Sequence, residues 1–155
     1  IRSDFVSFQH NYFFLIISKM QYQFYNQLPK EAQEIRQKVF VEEQGFENEF
    51  DERDHDCFHF VLFNNHQPIG CARMYEENQA MVLGRIAILK EYRHHHYGTC
   101  ILQCLENKAK EMHFSQVVLS AQVRASEFYK KNGYIPFGEE YLDEYCPHIH
   151  MKKEL

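Results

Sequence analysis

Two stretches of the chain combine residue types and spacings that could do chemistry. The first, from Met81 to Leu105, reads as an apolar strand, a polar turn at Lys90-Glu91-Tyr92, the run Arg93-His94-His95-His96-Tyr97-Gly98-Thr99, and a helix. A polar, glycine-containing loop at a helix start can hold an anion. The first amide N–H groups there have no internal partner, and the macrodipole adds partial positive charge. Arg93 contributes a fixed cation suited to phosphate. A pyrophosphate-bearing ligand fits such a loop; an ordinary strand–turn–helix with an exposed arginine is the plain alternative. The three consecutive histidines also invite a metal reading, but neighbouring residues in a turn rarely converge on one ion, and no metal site is expected. The second stretch, Gln122 to Tyr134, follows a strand over 117–120 and holds the pair Phe128-Tyr129 on a short helix closed by Asn132-Gly133.

A third stretch is marked by charge. Between Val41 and Asp56 stand eight acidic residues (Glu42, Glu43, Glu47, Glu49, Asp51, Glu52, Asp54 and Asp56) and one basic residue, Arg53. A second acidic group, Glu139, Glu140, Asp143 and Glu144, lies near the C-terminus. The cluster Asp51, Asp54, His55, Asp56 and His59 is expected to be a solvated acidic loop, not a metal site.

These residues need elements to place them. Alternate aromatics at Tyr22 and Phe24 predict a strand over 22–26. Pro29 suits the first turn of a helix over 30–44, with Ala32, Ile35, Val39 and Phe40 as its buried stripe and Gly45 as its stop. Segments 59–64 and 68–75 predict two strands joined at Asn64-Asn65-His66-Gln67. The 81–89 strand is apolar on both sides, which predicts a central position. A helix over 98–112 follows, with Ile101, Leu102, Leu105, Ala109 and Met112 on one face. Strands over 134–137 and 148–152 complete an α/β class with a mixed sheet.

Length and composition bound the reading. A single domain of 155 residues buries roughly 70% of the surface its unfolded chain exposes, so it needs no disulfide or metal to hold a core. Hydrophobic residues make up 45% and charged residues 25%, which excludes a disordered tail and a bundle of membrane spans. The net charge of −5 argues against sequence-independent nucleic-acid binding. Five cysteines, none in C-x-x-C spacing, point to reduced thiols and a cytoplasmic location. Residues 1–19 read as an N-terminal extension, either upstream or artificially appended, or as an element packing Phe13, Phe14, Ile16 and Ile17. Their apolar run falls short of the roughly 18 residues a span needs, and it lacks the marks of a secretory signal. The domain proper is 20–155.

Both motifs together resemble the GCN5-related N-acetyltransferase (GNAT) superfamily. The cofactor loop of that family runs Arg or Gln, two residues, Gly, one residue, Gly or Ala. Arg93 and Gly98 align with it, while His96 stands where the first Gly is usual. In the later segment Ala125, Phe128, Tyr129, Lys131 and Gly133 match, Tyr134 replaces Phe and Gln122 replaces Asn. Arg36-x-x-Val39-Phe40-x-x-Glu43-Gln44 and Pro147-His148-x-x-Met151 are similar to the small ElaA/YjcF-like bacterial branch. The resemblance covers about residues 20 to 155.

It implies a single-domain, mixed, mostly antiparallel sheet flanked by helices, and acetyl transfer from acetyl-CoA to an amine by direct attack. Loop amides of His94, His95, His96, Tyr97, Gly98 and Thr99, with Arg93, would hold the pyrophosphate. Backbone groups of Ile86, Ala87 and Ile88 would pair with the pantetheine arm like an added strand, and the Ile88 amide would polarise the thioester. Gln122, Phe128 and Lys131 would contact the cofactor. Tyr129 would be the general acid, with a core tyrosine as the alternative. The missing glycine at His96 implies a left-handed backbone, which His tolerates better than most residues.

The central strand offers no carboxylate, so Glu43 and His148 are the candidate general bases. Both acidic stretches would flank the acceptor mouth and favour a cationic amine. A homodimer is compatible with the resemblance; nucleic acid, membrane and metal are not expected partners. Two alternatives stand beside it. Arg36-x-x-Val39-Phe40, Phe50-Asp51, Asp54 and Gly70-Cys71-Ala72-Arg73-Met74 also look like acyl-homoserine-lactone synthases. A catalytically silent acyl-CoA-binding protein is the other.

Overall fold

A computed structural model describes residues 20–155; the packing expected of Phe13, Phe14, Ile16 and Ile17 lies outside the described residues. Seven strands form one sheet in the order β1-β2-β3-β4-β5-β7-β6. They are β1 (Met20–Tyr25), β2 (Phe58–Asn64), β3 (Gln67–Glu77), β4 (Ala80–Ile88), β5 (Gln116–Gln122), β6 (Ile135–Asp143) and β7 (Cys146–Glu154). All neighbours are antiparallel except β4 and β5, which are joined by a helical crossover. This is the mixed, mostly antiparallel architecture expected, with the apolar 81–89 segment in the middle.

Helix α1 (Lys30–Arg36) covers one face of the sheet, packing Ala32, Ile35 and the following Val39 against Val61, Cys71 and Ala87. Helix α2 (Tyr97–Glu111) covers the other, setting Ile101, Leu102, Leu105 and Ala109 against Phe60, Leu62, Met74 and Met81. The period-two alternation of β2 produces this division, since Phe60 and Leu62 point one way and Val61 the other. A short helix, α3 (Ser126–Lys131), brings Phe128 and Tyr129 to the α2 side.

Three local expectations are corrected. The helix predicted over 30–44 is α-helical only to Arg36 and continues as a π-helix over Gln37–Glu43. Its wider turn, with Gln44 N–H donating to Val39 O at 3.1 Å, lets the successive residues Val39 and Phe40 line one cavity. Gly45 does end it, at φ 78. The last two strands run longer than 134–137 and 148–152. Gly138, with φ 73, and the acidic pair after it interrupt the alternation of β6 where its register with β7 shifts. The acidic segment is the third: it is solvated only in part, for Asp51, His55 and Asp56 are exposed as expected, while Glu49, Asp54 and His59 are buried.

Two features of β4 position the site. Its pairing with β5 covers only Met81–Leu83 against Val117–Leu119, and the two strands then part. Its pairing with β3 slips by one residue between Gly84 and Ala87, a β-bulge with Arg85 in the left-handed region at φ 52.

Candidate active site

The fork between β4 and β5 opens into two connected spaces. A cavity of about 320 Å3 sits in its crotch, lined by Leu83 and Leu119, the last paired residues. Its further walls include Val39, Phe40 and Phe46 from the α1 side, Arg85 from β4, and His148 from β7. A groove of about 840 Å3 runs past Tyr92, Arg93, His94, His96, Tyr97, Gly98 and Thr99, then Phe128, Lys131 and Asn132. The two share Ile86, Ala87, Ile88, Arg93, Ala125 and Tyr129.

The open edge of β4 is the floor of that junction. Leu89 N–H donates to Ile69 O at 2.9 Å, so Leu89 and, two residues back, Ala87 turn their backbone groups toward β3. The groups of Ile86 and Ile88 therefore face the fork, where β5 has moved away. Of the three residues expected to pair with an extended arm, these two have the right orientation and Ala87 does not.

The head of α2 has the backbone of an anion cradle. His96, its N-cap, is left-handed at φ 64, as the missing glycine implied, and His94 is left-handed at φ 65. Cys100 N–H is the donor that returns to His96 O, at 3.1 Å, so the amides of Tyr97, Gly98 and Thr99 lie before the first intrahelical bond. Successive amides around left-handed residues form a concave nest for an anion, and the α2 dipole reinforces it. Gly98 has its own steric reason: a Cβ there would lie 2.9 Å from Cζ of Phe128. That close approach packs the α3 ring against the loop. His95 is exposed, near Tyr97, and does not line the groove.

Arg93 borders both spaces but is already engaged. Its Nε donates to Ile88 O at 2.9 Å, and its terminal nitrogens reach both Glu43 oxygens at 2.5 and 2.8 Å. The same ion pair, with the Arg93 hydrogen bonds as the main cause, holds Glu43 below the usual carboxylate range. Glu43 is thus a weak base, and it does not line the cavity. Gln122 lies in that cavity and not in the groove; it donates to Gln44 Oε1 at 2.8 Å and accepts from Arg124 Nε at 2.7 Å.

Tyr129 stands at the junction, and burial alone pushes its phenol up to about 12. His148, buried opposite Gln122 in the β5–β7 register, has Nδ1 2.9 Å from Cys146 O. A carbonyl only accepts, so Nδ1 carries a proton, and in the neutral ring Nε2 is the nitrogen with the lone pair. Phe46 packs on the same ring at 6.4 Å and on Tyr145 at 5.4 Å. Tyr145 in turn donates to Gln44 O, and Glu144 accepts the amides of Glu47 and Asn48 at 2.9 and 3.2 Å. The β6–β7 turn is thereby strapped to the segment after α1, and residues of both line the cavity.

Beneath the cavity lies a charge network that the acidic run did not reveal as such. Arg36 bonds Glu49 through Nε at 2.8 Å and Asp54 through Nη1 and Nη2 at 2.7 and 3.0 Å. Arg73 bonds Asp51 at 2.6 and 2.9 Å and Asp54 at 2.9 Å. Arg85 joins Glu49 at 2.9 Å and Asp51 at 3.4 Å. Three guanidinium groups thus meet three carboxylates, and the hydrogen bonds from Arg36 and Arg73 help draw Asp54 down to about 2 against its burial. With Glu43 on Arg93, four of the eight acids are neutralised, which weakens the field expected to favour a cationic amine. A signal was present: Arg36 and Arg73 stand on otherwise apolar, buried faces. Asp54, Cys57 and His59 do bring ligand atoms within 4.8 Å of one another. Both Asp54 oxygens are held by guanidinium groups, which compete with any cation there.

Comparison with known proteins shows the family. Residues 24–155 match the family model described as an acetyltransferase (GNAT) domain. The uncharacterized N-acetyltransferase YjcF of Bacillus subtilis is 37% identical over 128 residues, 81% of this chain and 91% of its own. The crystal structure of Escherichia coli ElaA superposes with a TM-score of 0.76 at 26% identity, covering 87% of this chain and 99% of that one. A GNAT acetyltransferase of Elizabethkingia anophelis with acetyl-CoA bound shares the fold, at TM-score 0.70 and 15% identity over 88% of this chain and 99% of that one. The chain is an acyltransferase that belongs to the GNAT superfamily, in its ElaA/YjcF-like branch.

Proposed function

We propose that the protein transfers an acetyl group from acetyl-CoA to a primary amine of a small molecule by direct attack. The observation that carries this reading is the meeting of groove and cavity at Tyr129 and the open edge of β4. A donor laid along the groove from the α2 head would end there, and an acceptor in the cavity would meet it. The amides of His94 and of His96 to Thr99 fit the diphosphate, with Lys131 on the same groove, while Ile86 and Ile88 fit the pantetheine arm as an added strand. Arg93 serves this arrangement as a clamp on Glu43 and Ile88 O, and Gln122 belongs to the acceptor side. No step calls for a metal.

His148 Nε2 takes the first proton from the acceptor ammonium, and Glu43 is set aside as base. The neutral nitrogen attacks the thioester carbon, with the Ile88 amide donating to the developing oxyanion. The C–N bond forms as the C–S bond breaks, the sulfur leaving with the electron pair. Tyr129 donates a hydrogen bond to that sulfur. Complete transfer from a phenol at about 12 to a thiolate whose acid lies near ~8.5 is uphill by ~5 kcal/mol, so the thiolate takes its proton from solvent. The second nitrogen proton and the one on His148 also pass to solvent. The free thiols of all five cysteines fit a reducing compartment, and we place the enzyme in the cytoplasm.

The test is thiol release from acetyl-CoA across an amine library, with products identified by mass. Acetylated amine and stoichiometric thiol are expected. Release of thiol without an acetylated product, or a product only with an acyl-carrier-protein donor and S-adenosylmethionine, overturns the reading.

A further inference from the structure

We infer that Arg85 is an anion-recognition residue of the acceptor cavity, so that the amine acetylated there also carries a carboxylate. This deepens the acetyl-transfer reading and rests on it.

The first ground is backbone conformation. Arg85 lies in the left-handed region in the middle of β4, where a side chain with a β-carbon is strained. Gly84 stands immediately before it, without a positive φ and with open space where a Cβ would lie. The bulge alone would be met with less strain by a glycine at 85. A bulge beside a site re-aims one side chain, and here the side chain it re-aims is a cation on the wall of the cavity.

The second ground is how the guanidinium is presented. Charge balance accounts for a cation at this place, since Arg36 and Arg73 alone face three carboxylates. It does not account for the exposure. Arg36 and Arg73 are 1% and 7% exposed, whereas Arg85 is 24% exposed. Its Nε and Nη2 face Glu49 and Asp51, while Nη1 has no hydrogen-bond partner among the described residues. Glu49 and Asp51 thus hold one edge of the group and leave Nη1 unpaired, on a residue that lines the cavity. Arg93, the other cation on that wall, has its terminal nitrogens on Glu43.

The third ground is placement. Arg85 comes from β4 and His148 from β7, on either side of β5 in the sheet. Asp143 and Glu144 lie on the β6–β7 side as well, while Glu49, the carboxylate on the Arg85 side, is paired with both Arg36 and Arg85. A molecule with an ammonium at one end and a carboxylate at the other matches this polarity: the amine toward His148, the acid toward Arg85.

The experiment compares kcat/KM for amines offered in pairs, each as the free carboxylate and as its neutral amide: glycine, β-alanine, 4-aminobutyrate and the common α-amino acids. The carboxylate is expected to be preferred about tenfold or more in at least one pair, as for a charge-assisted hydrogen bond. In Arg85→Gln that ratio is expected to collapse toward one, and Arg85→Lys to recover part of it. Turnover of amides as good as that of acids in every pair overturns the inference and leaves acetyl transfer standing, as does a ratio that survives in Arg85→Gln. Absence of thiol release with every amine overturns the reading beneath it instead. Should Arg85→Gln fail to fold, the wild-type ratio decides, together with competitive inhibition of amide turnover by propionate and butyrate.

Discussion

Arg93 holds Glu43 through both terminal nitrogens, at 2.5 and 2.8 Å, across fifty residues of chain. The pairing ties the π-helical end of the first helix to the approach of α2, and it makes Glu43 a tether. Replacing Glu43 by Gln should therefore raise KM for acetyl-CoA more than it lowers kcat, and the low-pH limb of the rate profile should persist. In His148→Gln kcat should fall about 100-fold or more, in the range of general-base catalysis. Steady-state kinetics across pH on both variants separates the two roles.

Tyr129 remains protonated throughout the working range, because burial pushes its phenol up to about 12. No loss of rate from its ionisation should be seen at pH 10, where an exposed tyrosine would be half ionised. Tyr129→Phe should lower kcat by about 10- to 100-fold, the worth of one hydrogen bond to a developing charge. Its affinity for acetyl-CoA, read as a melting shift, should change little.

Asp54 is the centre of the buried charge network. Its carboxyl lies at about 2 in the fold against an ordinary value near ~3.9, so the folded state prefers it charged. A depressed value means the stabilisation is fully present above the unfolded value and is lost as pH falls through about 2. Acid unfolding should therefore steepen between about pH 4 and about 2. Asp54→Asn should cost roughly 3 kcal/mol at neutral pH, leaving Arg36 and Arg73 undercompensated, and it should flatten that acid dependence. Urea melts over the pH range measure both.

Two positions at the head of α2 make opposite predictions. His96→Gly relieves a left-handed side chain but loosens the unfolded chain, and the two effects nearly offset, so stability should change by less than about 1 kcal/mol. The melting shift with acetyl-CoA should survive. Gly98→Ala places a Cβ 2.9 Å from the Phe128 ring, which must move, at a cost of about 1–3 kcal/mol. The acetyl-CoA shift should shrink with it, because the same ring lines the groove.

Much of this was legible in the residues. The α2 helix and the central β4 strand are local matters, set by periodicity and helix-start chemistry, while the left-handed position at His96 and the choice of Tyr129 followed from the family resemblance. Apolar spacing also told which faces of α1 and α2 are buried. What the chain order hides is pairing at a distance. Glu43 and Arg93, Arg36 and Asp54, or Glu144 and the amides of Glu47 and Asn48 meet only because the sheet order brings their elements together. An acidic run looks the same whether it faces water or three arginines. Its meaning was decided by the folded sheet, because a charge can be buried only where an opposite one is held against it.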